Sequence, residues 1–193
     1  MKSENSRDIT IKIGAINLKC ETKSDLFSPK GLDSGSRLLI EDVLSNFPKY
    51  KNVLDWGCGW GAISLCLAKN KPESKILAID TDIAAISMIK KNSTLNSLSN
   101  IEVSPSHGYE DVPDDRRFDL IVSNPPTHRG REVIDNMIKD SHKYLAENGN
   151  LILVVESRLK PWIARSMNES FGNHKILSRS AKHVVVFSHK SLS

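Results

Sequence analysis

The stretch Val53-Leu54-Asp55-Trp56-Gly57-Cys58-Gly59-Trp60-Gly61 constrains this chain more than any other. A short apolar run ends on a carboxylate, glycines follow at alternate positions, and helix-forming residues resume at Ala62. Glycine admits positive φ and lets backbone approach a ligand with no Cβ in the way. A loop of this kind opens a helix whose first N–H groups are unpaired and partly positive, so an anionic group can dock there. The pattern demands a strand, a tight turn and a helix in immediate succession.

The rest of the chain repeats that alternation. The pattern predicts strands over 52–55, 75–80, 101–104, 118–123 and 150–156, with helices over 62–69, 83–95, 131–145 and 161–170. An amphipathic helix over 36–47 precedes them and stops near Pro48. Two final strands, 175–177 and 183–188, have no helix between them and should pair antiparallel. Before all of this, Ile9, Ile11 and Ile13, then Ile16, Leu18 and Cys20, alternate with mostly polar residues around Gly14, as in a half-buried hairpin. The fold class is therefore α/β: a Rossmann-like, mostly parallel sheet with helices on both faces and a short N-terminal β-hairpin. Residues 1–26 form an extension carrying the hairpin, and residues 27–193 form one domain, which suits a chain of 193 residues. Loops that follow parallel strands share one edge of the sheet, where ligands bind. Asp55, Asp80, His107 and Asn124 should meet there.

Gly57-Cys58-Gly59-Trp60-Gly61-Ala62 also satisfies the dinucleotide fingerprint G-x-G-x-x-G/A. The preceding acid separates the choices. Asp55 would repel a pyrophosphate but attract the ammonium and sulfonium of S-adenosylmethionine. Asp80 ends the next strand, where a carboxylate can accept from both ribose hydroxyls.

Asn124-Pro125-Pro126 stops the strand over 118–123 abruptly. Proline fixes its own φ and pushes the residue before it into extended geometry, so the pair forms a stiff strut. The Asn124 side-chain oxygen and the Pro125 carbonyl can then serve as fixed acceptors for an exocyclic amine. Such a nitrogen is a poor nucleophile because its lone pair is delocalised. Acceptors orient it and stabilise the positive charge that develops on methyl transfer.

These residues resemble the class I S-adenosylmethionine-dependent methyltransferases. They are most similar to the small-domain branch that includes bacterial ribosomal RNA guanine-N2 methyltransferases. The resemblance runs from Phe27 to Phe187. Phe27-Ser28-Pro29-Lys30-Gly31-Leu32-Asp33-Ser34-Gly35-Ser36 looks like the branch's loop over the cofactor, Ala78-Ile79-Asp80 like its ribose-binding acid, and the segment 118–130 like its catalytic segment with a His128-x-Gly130 tail. The resemblance implies sheet order 3-2-1-4-5-7-6 with strand 7 antiparallel. It implies cofactor contacts from Phe27, Gly35, Ser36, Asp55, Gly57, Gly59, Gly61, Asp80, His107 and Asn124, and catalytic roles for Asn124, Pro125 and Pro126. Two positions depart from the branch. Thr127 stands where an aromatic usually stacks on the base, leaving Tyr109 or Trp162 to supply the ring. Ser106-His107 stands where an acid or polar group usually meets the adenine. The ribosomal enzymes of the branch also carry a second, degenerate domain, whereas only a hairpin precedes Phe27 here.

The expected activity is N-methylation of an exocyclic amine, foremost guanine N2 in ribosomal or transfer RNA. Protein glutamine and adenine N6 remain open as acceptors, as does a non-catalytic RNA-binding module on the same fold; a nicotinamide oxidoreductase leaves Asn-Pro-Pro without a role. RNA is the expected partner because residues 157–193 carry Arg158, Lys160, Arg165, Lys175, Arg179, Lys182 and Lys190 against Glu169 alone, in a chain whose net charge is +4. No metal is expected, since Cys20, Cys58 and Cys66 form no CxxC pair and the histidines show no ligand spacing. Cysteine usage, the polar N-terminus and the lack of a long apolar run give an expectation of a cytoplasmic protein without membrane contact. His107 and His128 read as caps or loop packing, Trp60 as packing for the glycine loop, and Lys90-Lys91 as a solvated helix end.

Overall fold

The computed structural model describes residues 6–26, 28–127 and 130–191; Phe27 and His128 lie outside the described residues. Its central sheet joins β3 (Asn52–Trp56), β4 (Lys75–Asp80), β5 (Ile101–Pro105), β6 (Phe118–Ser123), β7 (Leu145–Glu156), β8 (Lys175–Arg179) and β9 (His183–His189). The strand order is β5-β4-β3-β6-β7-β9-β8. Counted from β3 this is 3-2-1-4-5-7-6, with β9 antiparallel to both neighbours, as the resemblance implied.

The strands are apolar on both faces because both faces are covered. Val53, Ile152, Val154 and Val185 point to one side, against α1 (Ser34–Asn46), α2 (Ala62–Asn70) and α3 (Ile83–Leu95). Leu54, Leu151, Leu153, Val155, Val184 and Val186 point to the other, against α4 (Arg131–Tyr144) and α5 (Lys160–Phe171). Helix α1 starts at Ser34, earlier than its apolar spacing suggests, because Asp33 caps it: Oδ1 accepts from the N–H groups of Gly35 and Ser36, each at 3.0 Å. Strand β7 starts at Leu145 rather than 150. Leu145 pairs with Phe118, the register shifts before Leu120, and the polar residues up to Gly149 form the irregular stretch between.

The N-terminal strands β1 (Ser6–Ile13) and β2 (Ile16–Lys23) form an antiparallel hairpin whose Ile11, Ile13, Ile16, Leu18 and Cys20 join the core over α1 and α2. Its edge is held by amides from α3. Asn92 accepts from the Glu21 N–H (2.8 Å) and donates to the Glu21 carbonyl (2.9 Å); Asn96 does the same with Lys19 (3.1 and 2.7 Å). Four helical residues rise about 6 Å and two strand residues about 6.6 Å, so the pairs match in pitch. Lys91 is not merely a solvated helix residue: its Nζ forms an ion pair with Glu21, 2.5 Å away, and that pair draws the Glu21 carboxyl below its usual range.

Candidate active site

The C-terminal ends of β3, β4, β5 and β6 bring most of the expected residues together. After β3 the chain turns through Gly57, whose N–H joins that of Cys58 in donating to the Ile79 carbonyl of β4, both at 2.9 Å. Gly61 begins α2 with φ +100, and a Cβ there would lie 2.5 Å from Ile89 Cγ1, so this position admits only glycine. Gly59 is also left-handed (φ +55), and a Cβ on it would meet nothing within 4 Å, so its face is open.

Two carboxylates organise this loop. Asp80 accepts from the Gly59 N–H through Oδ2 (2.8 Å) and from the Asp82 N–H through Oδ1 (3.0 Å). Asp55 is fully buried, and its Oδ2 accepts from the Ser64 N–H (3.0 Å) and hydroxyl (2.6 Å), which serves the start of α2 in place of a cap at Gly61. Its Oδ1 is buried with no hydrogen-bond partner. Burial pushes the Asp55 carboxyl up to about 7, the Ser64 bonds oppose this, and the nearby Asp80 charge adds to it. Burial also raises the Cys58 thiol well above its ordinary value, which makes it an inert packing residue. Trp60 is buried, and its carbonyl accepts from Asn92 Nδ2 at 3.1 Å, so the glycine loop and the hairpin share one asparagine.

The strut after β6 lies directly beside the glycine loop. Ser123 Oγ donates to the Trp56 carbonyl at 2.7 Å, and a Cβ on Gly57 would sit 4.0 Å from Pro126 Cδ. Asn124 is held from the α1 side: its Nδ2 donates to Ser36 Oγ (3.0 Å) and to Asp33 Oδ1 (3.3 Å). Carboxylate oxygens only accept, so the group facing Asp33 is the amide NH2, and Oδ1 is turned the other way. Gly35 is packed tightly here, since a Cβ would be 3.1 Å from Asp33 Oδ1 and 3.1 Å from His183 Cδ2. His183 Nδ1 in turn lies 3.3 Å from Ser34 Oγ.

The remaining residues divide. His107 is exposed in the loop after β5, which is tied to the site by the Ser106 N–H donating to the Asp80 carbonyl at 3.0 Å. Tyr109 is not available to stack on a base. It is buried, parallel to Tyr144 with ring centroids 4.7 Å apart, and its hydroxyl donates to the Met137 carbonyl. Trp162 is half-buried in the first turn of α5; its Nε1 donates to Asp135 (3.0 Å), and the Arg131 guanidinium lies 5.2 Å from its ring centre. Sequence reasoning did not assign Asp33 a role of its own. The signal was available, because an aspartate just before a helix is a standard cap. Among the described residues no cluster of His, Cys, Asp or Glu could hold a metal, and no helix is long and apolar enough to cross a membrane.

Comparison with known proteins agrees with this arrangement. A family model described as methyltransferase small domain matches residues 17–187. Ribosomal RNA small subunit methyltransferase C of Buchnera aphidicola subsp. Baizongia pistaciae is 36% identical over 173 residues, covering 88% of this chain and 52% of that protein. The uncharacterized protein YbxB of Bacillus subtilis is 28% identical over 165 residues, covering 84% of this chain and 81% of its own length. Among solved structures, the T. thermophilus 16S rRNA N2 G1207 methyltransferase in complex with AdoMet and guanosine superposes with a TM-score of 0.85 at 26% identity, covering 97% of this chain and 51% of that one. The chain thus spans about half the length of these ribosomal relatives.

Proposed function

Because this chain belongs to the methyltransferase small domain family, we propose that it transfers a methyl group from S-adenosylmethionine to the N2 amine of a guanine in structured RNA. The observation that carries this reading is the adjacency of two unlike parts. The Asn124-Pro125-Pro126 strut packs against the glycine loop, and the Asn124 amide is locked with its NH2 group toward Ser36 and Asp33. The T. thermophilus relative, described with AdoMet and guanosine, supports the same pairing of ligands.

The residues present fit the cofactor. The partnerless Asp55 Oδ1 suits a cationic amine, the open face of Gly59 leaves room for a ligand, and the Asp80 carboxylate suits a pair of hydroxyls. In this reading Gly35, Ser36, Gly57, Gly61 and His107 complete the cofactor's surroundings, with Phe27 outside the described residues. S-adenosylmethionine supplies an electrophilic methyl group on a sulfonium. The chain's own residues do the rest. Asn124 Oδ1 and the Pro125 carbonyl accept the two N–H groups of the amine and turn its lone pair toward the methyl. Pro126 stiffens the strut. The same acceptors stabilise charge as it grows on nitrogen, and the proton departs to water afterwards, so no strong base is needed.

The test uses labelled S-adenosylmethionine and RNA from a strain lacking the protein. The reading expects label in N2-methylguanosine, sensitive to ribonuclease. Asn124→Ala should lower turnover by about 100-fold or more while calorimetry shows cofactor affinity unchanged. Label released only by protease would replace RNA with a protein amide, and no cofactor binding by the wild type would leave a non-catalytic module.

A further inference from the structure

The basic residues of the C-terminal segment do not form one surface. β8 runs parallel to β7 and β9 returns antiparallel, so the segment crosses the sheet and comes back. Lys175 begins β8 and Lys190 follows β9; both lie at the edge remote from Asn124, where Lys190 Nζ donates to the His142 and Leu145 carbonyls. Arg179 ends β8, Lys182 precedes β9, and Arg158 and Lys160 follow β7, so these four stand at the same edge as the Asn-Pro-Pro strut. The turn is tied in by the Ser157 N–H donating to the Lys182 carbonyl at 2.9 Å. A short path through neighbouring residues leads from it to Asn124: Lys182 adjoins His183, the His183 ring crowds Gly35, and Ser36 Oγ accepts from Asn124. Exposed Arg131, at the start of α4, adds a fifth cation.

The acids on this half of the edge are Glu132, Asp135, Glu156 and Asp33, whose Oδ1 is already engaged by the Gly35 and Ser36 N–H groups and the Asn124 amide. Asp135 accepts from Trp162 Nε1, and Glu156 pairs with Arg158 at 2.7 Å. Among the described residues no carboxylate is in ion-pair contact with Lys160, Arg179 or Lys182. The other half of the edge, beyond β4 and β5, carries Asp80, Asp82, Glu110 and Asp111. The edge is therefore polarised, acidic where the cofactor is proposed and basic beyond the strut.

We propose that RNA reaches Asn124 across the β7–β9–β8 half of this edge, with its phosphates on Lys160, Arg179 and Lys182 and its approach excluded from the acidic β4–β5 half. An anionic backbone is favoured there by unneutralised cations and repelled on the opposite side. This inference rests on the RNA methyl-transfer reading but concerns binding alone.

The experiment measures the affinity of a short fluorescein-labelled RNA hairpin with guanines in its loop, across a series of salt concentrations. R179A/K182A should weaken binding roughly tenfold and flatten the salt dependence by about 0.7 for each phosphate that is no longer neutralised. K75A/K175A removes the same charge from the remote edge and should leave affinity near the wild type. Equal losses in both pairs, or none in either, would overturn the proposal. So would polyglutamate displacing the protein from the hairpin as well as unlabelled RNA does, since the face would then be one for acidic protein. If the patch behaves as expected and no RNA is methylated, the catalytic reading fails and the binding face stands; if RNA is methylated and the two pairs bind alike, only the face fails.

Discussion

Ser36→Ala separates the positioning of Asn124 from its presence. The Asn124 amide donates to Ser36 Oγ at 3.0 Å and to Asp33 Oδ1 at 3.3 Å, and that Asp33 oxygen already accepts from two backbone N–H groups. Ser36 is thus the nearer and less committed anchor. Removing its hydroxyl forfeits one hydrogen bond, about 1 kcal/mol. Alanine in the first turn of α1 returns about 0.5 kcal/mol of helix propensity. The net loss of about 0.5 kcal/mol should move the melting temperature by only about 1–2 °C in a chain of this size. Turnover should suffer more. An amide free to rotate offers its NH2 where an acceptor is needed, and fixing it again costs about 1 kcal/mol or slightly more, a five- to tenfold drop in kcat. Single-turnover methyl transfer at saturating cofactor, beside thermal melts and calorimetry, reads all three quantities. An unchanged kcat in Ser36→Ala, together with an inactive Asn124→Ala, would refute the reasoning, because Asn124 would then be oriented by something other than this anchor.

Asp55→Asn should alter the pH dependence of stability. Burial raises the folded carboxyl from 3.8 to about 7, so the native chain holds a proton that the unfolded chain has released. Stability therefore falls as pH rises from about 4 to about 7, by up to about 4 kcal/mol; Asp55→Asn should abolish that slope in melts across the window, and an identical slope would refute it. Asn92→Ala strands the buried Glu21 N–H and carbonyl and the Trp60 carbonyl. It should cost about 2–4 kcal/mol, whereas Asn96→Ala, in the more exposed clasp, should cost less than about 1 kcal/mol. Equal shifts in the two melting temperatures would show that the amide clasp does not dock the hairpin as described.

The regular elements were legible because their signals are local. Alternation between apolar strands and helical spacing located most boundaries within a residue or two, and the helix-free pair at the end forecast the antiparallel β9. Departures arose where a distant contact decides the outcome. The Phe118–Leu145 pairing lengthens β7, whereas the earlier start of α1 comes from the local Asp33 cap, a signal the sequence did carry. Tyr109 looked free for stacking because nothing nearby in sequence shows that Tyr144 covers its face. The asparagines of α3 are the instructive case. Asn92, and Asn96 at the helix's C-terminal cap, drew no reading from the sequence, yet they bind alternate residues of an edge strand. Their spacing of four against a strand spacing of two was visible, but it acquires meaning only when the hairpin and α3 are known to be neighbours.

The basic C-terminal segment carries the same lesson further. Counted along the sequence, its cations form a single patch. A segment that runs up one strand and down the next must deliver its charges to both ends of the sheet, because each strand of 5 to 7 residues spans the sheet once. Charges in the turn between β8 and β9 come to the edge that holds Asn124, and charges at the segment's start and end go to the far edge. The quantity relevant to RNA is therefore not the net charge of residues 157–193 but the smaller set at the β8–β9 turn and after β7. Within residues 157–193 it is that set which stands at the edge of the Asn-Pro-Pro strut, where Arg131 joins it.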